Sequence, residues 1–214
     1  MKQYDNQIID NLIMRFPELS GLPVHRSVEA ICSCYRDGGK LLICGNGGSA
    51  ADALHITGEL MKGFILERPI DKSIQEKIRT IYPAEADYLI SNLQGALPAI
   101  SLVSEAALIS AFSNDKAADL CFAQQVMGHG MKGDVLIAIS TSGNAVNVRY
   151  AAQIAKVKQM TVIALTGDTG GDLKNYADIL LNVPAKETYL VQEYHLPLYH
   201  AICAAVEKAL TADI

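Results

Sequence analysis

The chain has 214 residues, 50% of them hydrophobic, and carries a net charge of −5. This composition fits a soluble globular chain with enough apolar side chains for one full core. The negative balance argues against broad affinity for nucleic acid or a membrane surface, although backbone amides and helix N-termini still bind a small anion.

The first ten residues are polar and lack the apolar core of a signal peptide. From 5 to 37 the pattern is helical: Ile8, Ile9, Leu12 and Ile13 share one face, Pro17 and Gly21-Leu-Pro23 interrupt, and a second run covers Ser27 to Tyr35. Asp37-Gly-Gly39 turns the chain into a strand at 40–44. A glycine-rich turn, Gly45-Asn-Gly-Gly-Ser49, follows at once, and then a helical pattern carrying His55 and Glu59 four positions apart on one face. A strand that ends in such a turn and enters a helix offers backbone amides to an anion.

The segment from Ile70 to Gly95 is more polar and breaks the rhythm, with Ile74, Ile78 and Ile81 near helical spacing. It reads as a partly helical excursion from the core, a flap or a contact between subunits. Four more apolar runs have strand length: Ala99–Val103, Val135–Ser140, Thr161–Thr166 and Ile179–Val183. Helical patterns over 105–112, 118–127, 145–158 and, more weakly, 172–176 separate most of them. The expected fold is α/β, a three-layer αβα sandwich with a five-stranded parallel sheet and helical N- and C-terminal extensions. The closing helix spans Thr188 to Leu210 and contains Pro197, a candidate kink. The five cysteines, at 32, 34, 44, 121 and 203, lie mostly in apolar runs and read as buried reduced thiols of a cytoplasmic protein. No apolar run is long enough to span a bilayer.

A second donor-rich turn, Ser140-Thr-Ser-Gly-Asn144, sits directly after the strand at 135–139. In a parallel sheet it lies on the same edge as the first turn, where ligands bind. Ser49, Ser140, Thr141 and Ser142, with the amides of Gly47, Gly48 and Gly143, are the expected phosphate donors. The rival reading is a dinucleotide loop, Gly45-x-Gly47-x-x-Ala50, with Gly63-Phe-Ile-Leu-Glu67 as a strand ending in a ribose-binding acid. Arg68-Pro69 and the polar excursion continue a βαβ unit poorly, and the second turn has no role in that scheme. Near the end of the chain, Gln192-Glu-Tyr-His195 and His200 form another polar cluster. Spacing alone does not choose between the two histidines.

Together these motifs resemble the sugar isomerase (SIS) domain of bacterial phosphoheptose isomerases. The resemblance rests on 44–53, His55-x-x-x-Glu59-Leu and Glu67-Arg-Pro69, then Ser113-Asn-Asp115 and Gly133–Asn144. It continues through Ala164-Leu-Thr-Gly167, Gly170-Gly171, and Gln192-Glu-x-His195 with His200. It implies one SIS domain over 1–214 with a non-core insertion at about 70–95. It also implies a cytoplasmic homotetramer with sites between subunits, converting D-sedoheptulose 7-phosphate to D-glycero-D-manno-heptose 7-phosphate. By the same likeness Glu59 is the base and His200 the acid, and zinc is held by His55, Glu59, Gln192 and His200. Substrate contacts would come from Asn46, Gly47, Gly48, Ser49, Asn114, Asp115, Ser140, Thr141, Ser142 and Gln192. Departures from the pattern are Ala145 in place of a common serine, Lys62-Gly63 in place of Gly-Arg, Leu190 in place of arginine, and the long 70–95 segment. The alternative class is a non-catalytic SIS protein that binds a sugar phosphate or a regulatory partner. Such relatives lose catalytic positions, whereas His55, Glu59, Gln192 and His200 are all present here.

Overall fold

The computed structural model describes residues 7–211; positions 5 and 6 of the first expected helical stretch lie outside them. Five strands, β1 (Leu41–Cys44), β2 (Ala99–Ser101), β3 (Val135–Ile139), β4 (Thr161–Thr166) and β5 (Ile179–Asn182), pair in parallel in the order β2-β1-β3-β4-β5. The alternating side chains of β1 show why the runs are apolar throughout. Leu41 and Ile43 enter one buried cluster, and Leu42 and Cys44 enter the other. The first cluster is capped by α1 (Gln7–Arg15), α2 (Val24–Arg36), α3 (Gly48–Met61) and α9 (Thr188–Thr211). The second is capped by α7 (Cys121–His129) and α8 (Val146–Val157). A sheet buried on both faces requires apolar side chains in both registers.

Strand order reverses between β1 and β3, because the chain runs from β1 outward to β2 and then back across to β3. Open parallel sheets bind ligands at such a switch point, beyond the strands' carboxyl ends. Here that point holds the turns 45–47 and 140–145.

The 70–95 segment is helical, as α4 (Lys72–Ile81) and α5 (Ala86–Asn92). Asp71 starts α4 by accepting a hydrogen bond from the Ser73 amide at 2.7 Å. The apolar face of α4 finds no core: none of its residues is buried, and Ile74 and Ile81 stay exposed. The remaining short helix, α6 (Ala106–Phe112), precedes a π-helical turn at Ser113–Ala117.

Residues 63–67 form no strand, which removes the second half of the dinucleotide scheme. The Glu207 carboxylate of α9 instead accepts hydrogen bonds from the amides of Phe64, Ile65 and Leu66 at 2.7–3.0 Å. Arg68 forms a buried ion pair with Glu207 at 3.1 Å and donates to the Leu60 carbonyl at 2.8 Å. Arg68 of the Glu67-Arg68-Pro69 motif therefore serves as a clamp between the end of α3 and the C-terminal part of α9. α9 also runs on through Pro197.

Candidate active site

The first turn is shaped by two glycines. Gly47 has φ of +56°, a conformation that side chains resist. A Cβ at position 48 would stand 2.2 Å from Gln192 Nε2, so the glycine lets that side-chain amide lie against the turn. The turn and its partner after β3 enclose a cavity of about 280 Å³ lined by Asn46, Gly47, Gly48, Ser49, Ser140, Thr141, Ser142, Ala145, Thr188 and Gln192. At the start of α3 the Ser49 amide donates to the Asn46 carbonyl and the Ala50 and Ala51 amides to that of Gly47, at 3.0–3.3 Å. This leaves the amides of Gly47 and Gly48 as the backbone donors at the positive end of the helix dipole. The two turns are tied together by reciprocal amide bonds between Asn46 and Asn147, at 2.8 and 2.9 Å.

α3 and α9 run side by side in the same direction, because Gln192 meets Gly48 and Tyr199 and His200 meet His55. Further along this pair, His55, Glu59 and His200 present ligand atoms all within 4.8 Å of one another. His55 Nε2 lies 2.9 Å from Glu59 Oε1 and 3.3 Å from His200 Nε2, while Lys62 Nζ lies 3.2 Å from Glu59 Oε2. Burial, together with the neighbouring His55, lowers the pKa of His200 and favours the neutral ring that binds metals. Two nitrogens and an oxygen in this arrangement fit a zinc ion. Tetrahedral coordination at ~2.0–2.1 Å separates two nitrogens by about 3.4 Å and leaves a position open for substrate.

Most of the expected site residues are brought to one of these two places. Asn46, Gly47, Gly48, Ser49, Ser140, Thr141, Ser142 and Gln192 line the cavity. Gln192 is there rather than with the three clustered ligands, its amide packed on Gly48. Asn114 and Asp115 do not line the cavity; they are exposed on the π-helical turn and bonded to each other at 2.8 Å. The Gly143 amide is no phosphate donor, since it donates to the Ser140 carbonyl at 2.9 Å and closes the turn. His195 and His200 separate cleanly. His195 is fully buried, with Nε2 3.4 Å from the Thr166 carbonyl and its pKa pushed down to about 4 by burial, so it anchors α9 to the sheet.

Sequence reasoning missed three contributors. Thr188 joins the cavity from the first turn of α9, and Asp52 and Tyr199 stand behind His55. Asp52 falls on the same face as His55 and Glu59 by spacing, a usable signal, whereas nothing local marks Tyr199.

A switch-point phosphate cradle joined to a His/Glu/His cluster on parallel helices defines a phosphosugar-handling α/β domain. SIS-domain family models match residues 3–89 and 99–208. The chain is 37% identical over 187 residues to a phosphoheptose isomerase of Burkholderia pseudomallei, covering 87% of this chain and 82% of that protein. It is also 37% identical over 202 residues to one of Aneurinibacillus thermoaerophilus, covering 94% and 88%. The structure of the phosphoheptose isomerase of Neisseria gonorrhoeae superposes with a TM-score of 0.72 at 33% identity, covering 94% of this chain and 95% of the other. That from Francisella tularensis gives 0.73 at 31% over the same shares. The chain belongs to the SIS-domain phosphoheptose isomerase family.

Proposed function

We propose that the protein is an aldose–ketose isomerase that converts D-sedoheptulose 7-phosphate to D-glycero-D-manno-heptose 7-phosphate. The observation that carries this reading is the separation of the two halves of the site along α3. Six to ten residues divide Ser49 from His55 and Glu59. At 1.5 Å per residue that is about 9–15 Å, and an extended seven-carbon chain sets its C1–C2 end roughly 10 Å from a 7-phosphate. A three- or four-carbon phosphate would fall short.

The phosphate sits between the amides of Gly47 and Gly48 and the hydroxyls of Ser49, Ser140, Thr141 and Ser142. This leaves C1 and C2 beside Glu59 and His200. Glu59 takes the C1 proton and returns it to C2, while His200 moves protons at the sugar oxygens. Asn46 and Gln192 hold the hydroxyls between. His55, Glu59 and His200 are the residues that would hold zinc, and Gln192 would join them only by turning from Gly48. When bound, the ion supplies polarisation of the carbonyl and charge stabilisation for the enediolate. A carboxylate that ligates an ion is a weaker base, and Glu59 has an oxygen for each role, Oε1 toward His55 and Oε2 toward Lys62.

The wider assignment is one SIS domain with 70–95 as an insertion, assembled as a homotetramer in the cytoplasm without nucleic-acid or membrane partners. Asn114 and Asp115, exposed in one chain, complete a neighbouring subunit's site. Support for assembly comes from the exposed Ile74, Ile81, Tyr82 and Tyr88 of the α4–α5 arm. The five buried free cysteines suit a reducing compartment. No helix among the described residues is long and apolar enough to cross a membrane.

A coupled assay with sedoheptulose 7-phosphate tests the reaction. Glu59→Gln and His200→Asn are expected to lower kcat by about 10²–10⁴-fold each. Full activity in both variants would sink the mechanism. A wild-type protein that binds the sugar phosphate without turnover would point to the non-catalytic class instead.

A further inference from the structure

Behind the cluster lies a chain of polar groups that the reaction does not use directly. The Tyr199 side chain is buried, and its hydroxyl stands 2.9 Å from His55 Nδ1, the nitrogen facing away from Glu59 and His200. On its other side the hydroxyl interacts with the Asp52 carboxylate. The buried Oδ2 of Asp52 has no hydrogen-bond partner among the described residues, so a phenol proton turned toward it answers an unmet acceptor. The two rings meet edge to face at 5.5 Å, so packing also fixes the plane of the imidazole.

Hydrogen-bond polarity runs one way along this chain. A carboxylate only accepts, and a phenol has a single proton. Once Tyr199 donates to Asp52, its oxygen has only lone pairs left for His55, and Nδ1 must be the donor. A neutral ring protonated at Nδ1 carries its lone pair on Nε2, toward Glu59 and His200. Metal-binding histidines are oriented in this way by partners beyond the ligand shell.

We propose that Asp52 and Tyr199 are positioning residues that keep the His55 proton on Nδ1 and so aim Nε2 at the metal ion. The proposal rests on the reading of His55 as a ligand. Glu59 pulls the other way, since Nε2 lies 2.9 Å from its Oε1. With the proton held on Nδ1, Nε2 has none to donate to that carboxylate.

Two measurements on the full-length protein separate this proposal from the metal assignment. In zinc titrations against a competing chelator, Tyr199→Phe is expected to weaken binding by about 10- to 100-fold. Asp52→Asn keeps the shape and reverses the polarity: its NH₂ donates to Tyr199, which then donates to Nδ1. Its affinity should fall at least as far, with thermal melting confirming that both variants are folded. Zinc affinities equal to wild type in both would overturn the proposal. The second measurement needs no metal. In a Glu59→Gln background, ¹⁵N imidazole shifts should report Nδ1–H at His55, changing to Nε2–H when Asp52→Asn is added. An Nε2–H ring before that addition overturns the positioning role. A wild-type protein that fails to bind zinc refutes the metal reading alone and leaves the tautomer to decide.

Discussion

The two ends of the site are made differently. The phosphate end consists of turns that follow β1 and β3, so each donor is within a few residues of a buried strand, and the sheet fixes where it points. The reacting end is carried by helices that pack on the sheet rather than by turns that follow its strands. His55 and Glu59 project from the third and fourth turns of α3, and His200 comes from α9, which arrives from the far edge of the sheet. What sets their spacing is side-chain chemistry that docks α9: the Arg68–Glu207 clamp to the loop after α3, the His195 anchor on Thr166 of β4 and the Tyr199 contact with His55. One end is set by how strands run into turns, the other by how helices dock.

Breaking the clamp should separate the two ends most sharply. Glu207→Ala leaves Arg68 as an unpaired buried charge and frees three amides, a loss of about 3–5 kcal/mol. Urea unfolding will read that loss. In the molecules that stay folded, kcat should drop further than affinity for inorganic phosphate. Equal losses would mean that the sheet edge depends on α9 as much as the cluster does.

Acid should weaken the same docking through His195. Its folded pKa of about 4 lies below the 6.5 of a free histidine. The unfolded chain therefore takes up a proton in that window while the folded protein does not. Stability falls as pH drops from about 6.5 to 4, and this group has no effect above that range. The full loss is roughly 3 kcal/mol. Urea midpoints measured from pH 7 to 4.5 should show this slope, and His195→Asn should flatten it.

At the phosphate end effects should be smaller and confined to binding. Ser142→Ala removes one hydroxyl of several, and KM is expected to rise about tenfold, or ~1.4 kcal/mol, with kcat little changed. A change mainly in kcat would show that the two ends are coupled more tightly than their construction suggests.

The same contrast governs what the sequence disclosed. All five strands and the two donor-rich turns are local signals, a short apolar run followed by Gly and Ser, and the structure has them within two residues of the expected limits. His55 and Glu59 were legible as a face of one helix. The link from them to His200 rested on resemblance, because nothing in the chain states that residues 145 positions apart touch. Tyr199 and the clamp were invisible for that reason. The helical nature of 70–95 was legible from its isoleucines, but its failure to bury them depends on what the rest of the fold leaves open. Gly143 misled because a glycine in a donor-rich turn can either present its amide or spend it on closing the turn.

Glu207, His200, Tyr199, Gln192 and Thr188 all belong to the last helix. On the ribosome α9 emerges after all five strands and both donor-rich turns. A product cut short before Thr188 keeps the phosphate turns and lacks every residue that α9 brings to the reacting centre. The loop at 64–66 then waits for an internal carboxylate to gather its amides. A chain released before α9 thus also loses the Thr188 and Gln192 side of the cavity and the helix that covers one face of the sheet.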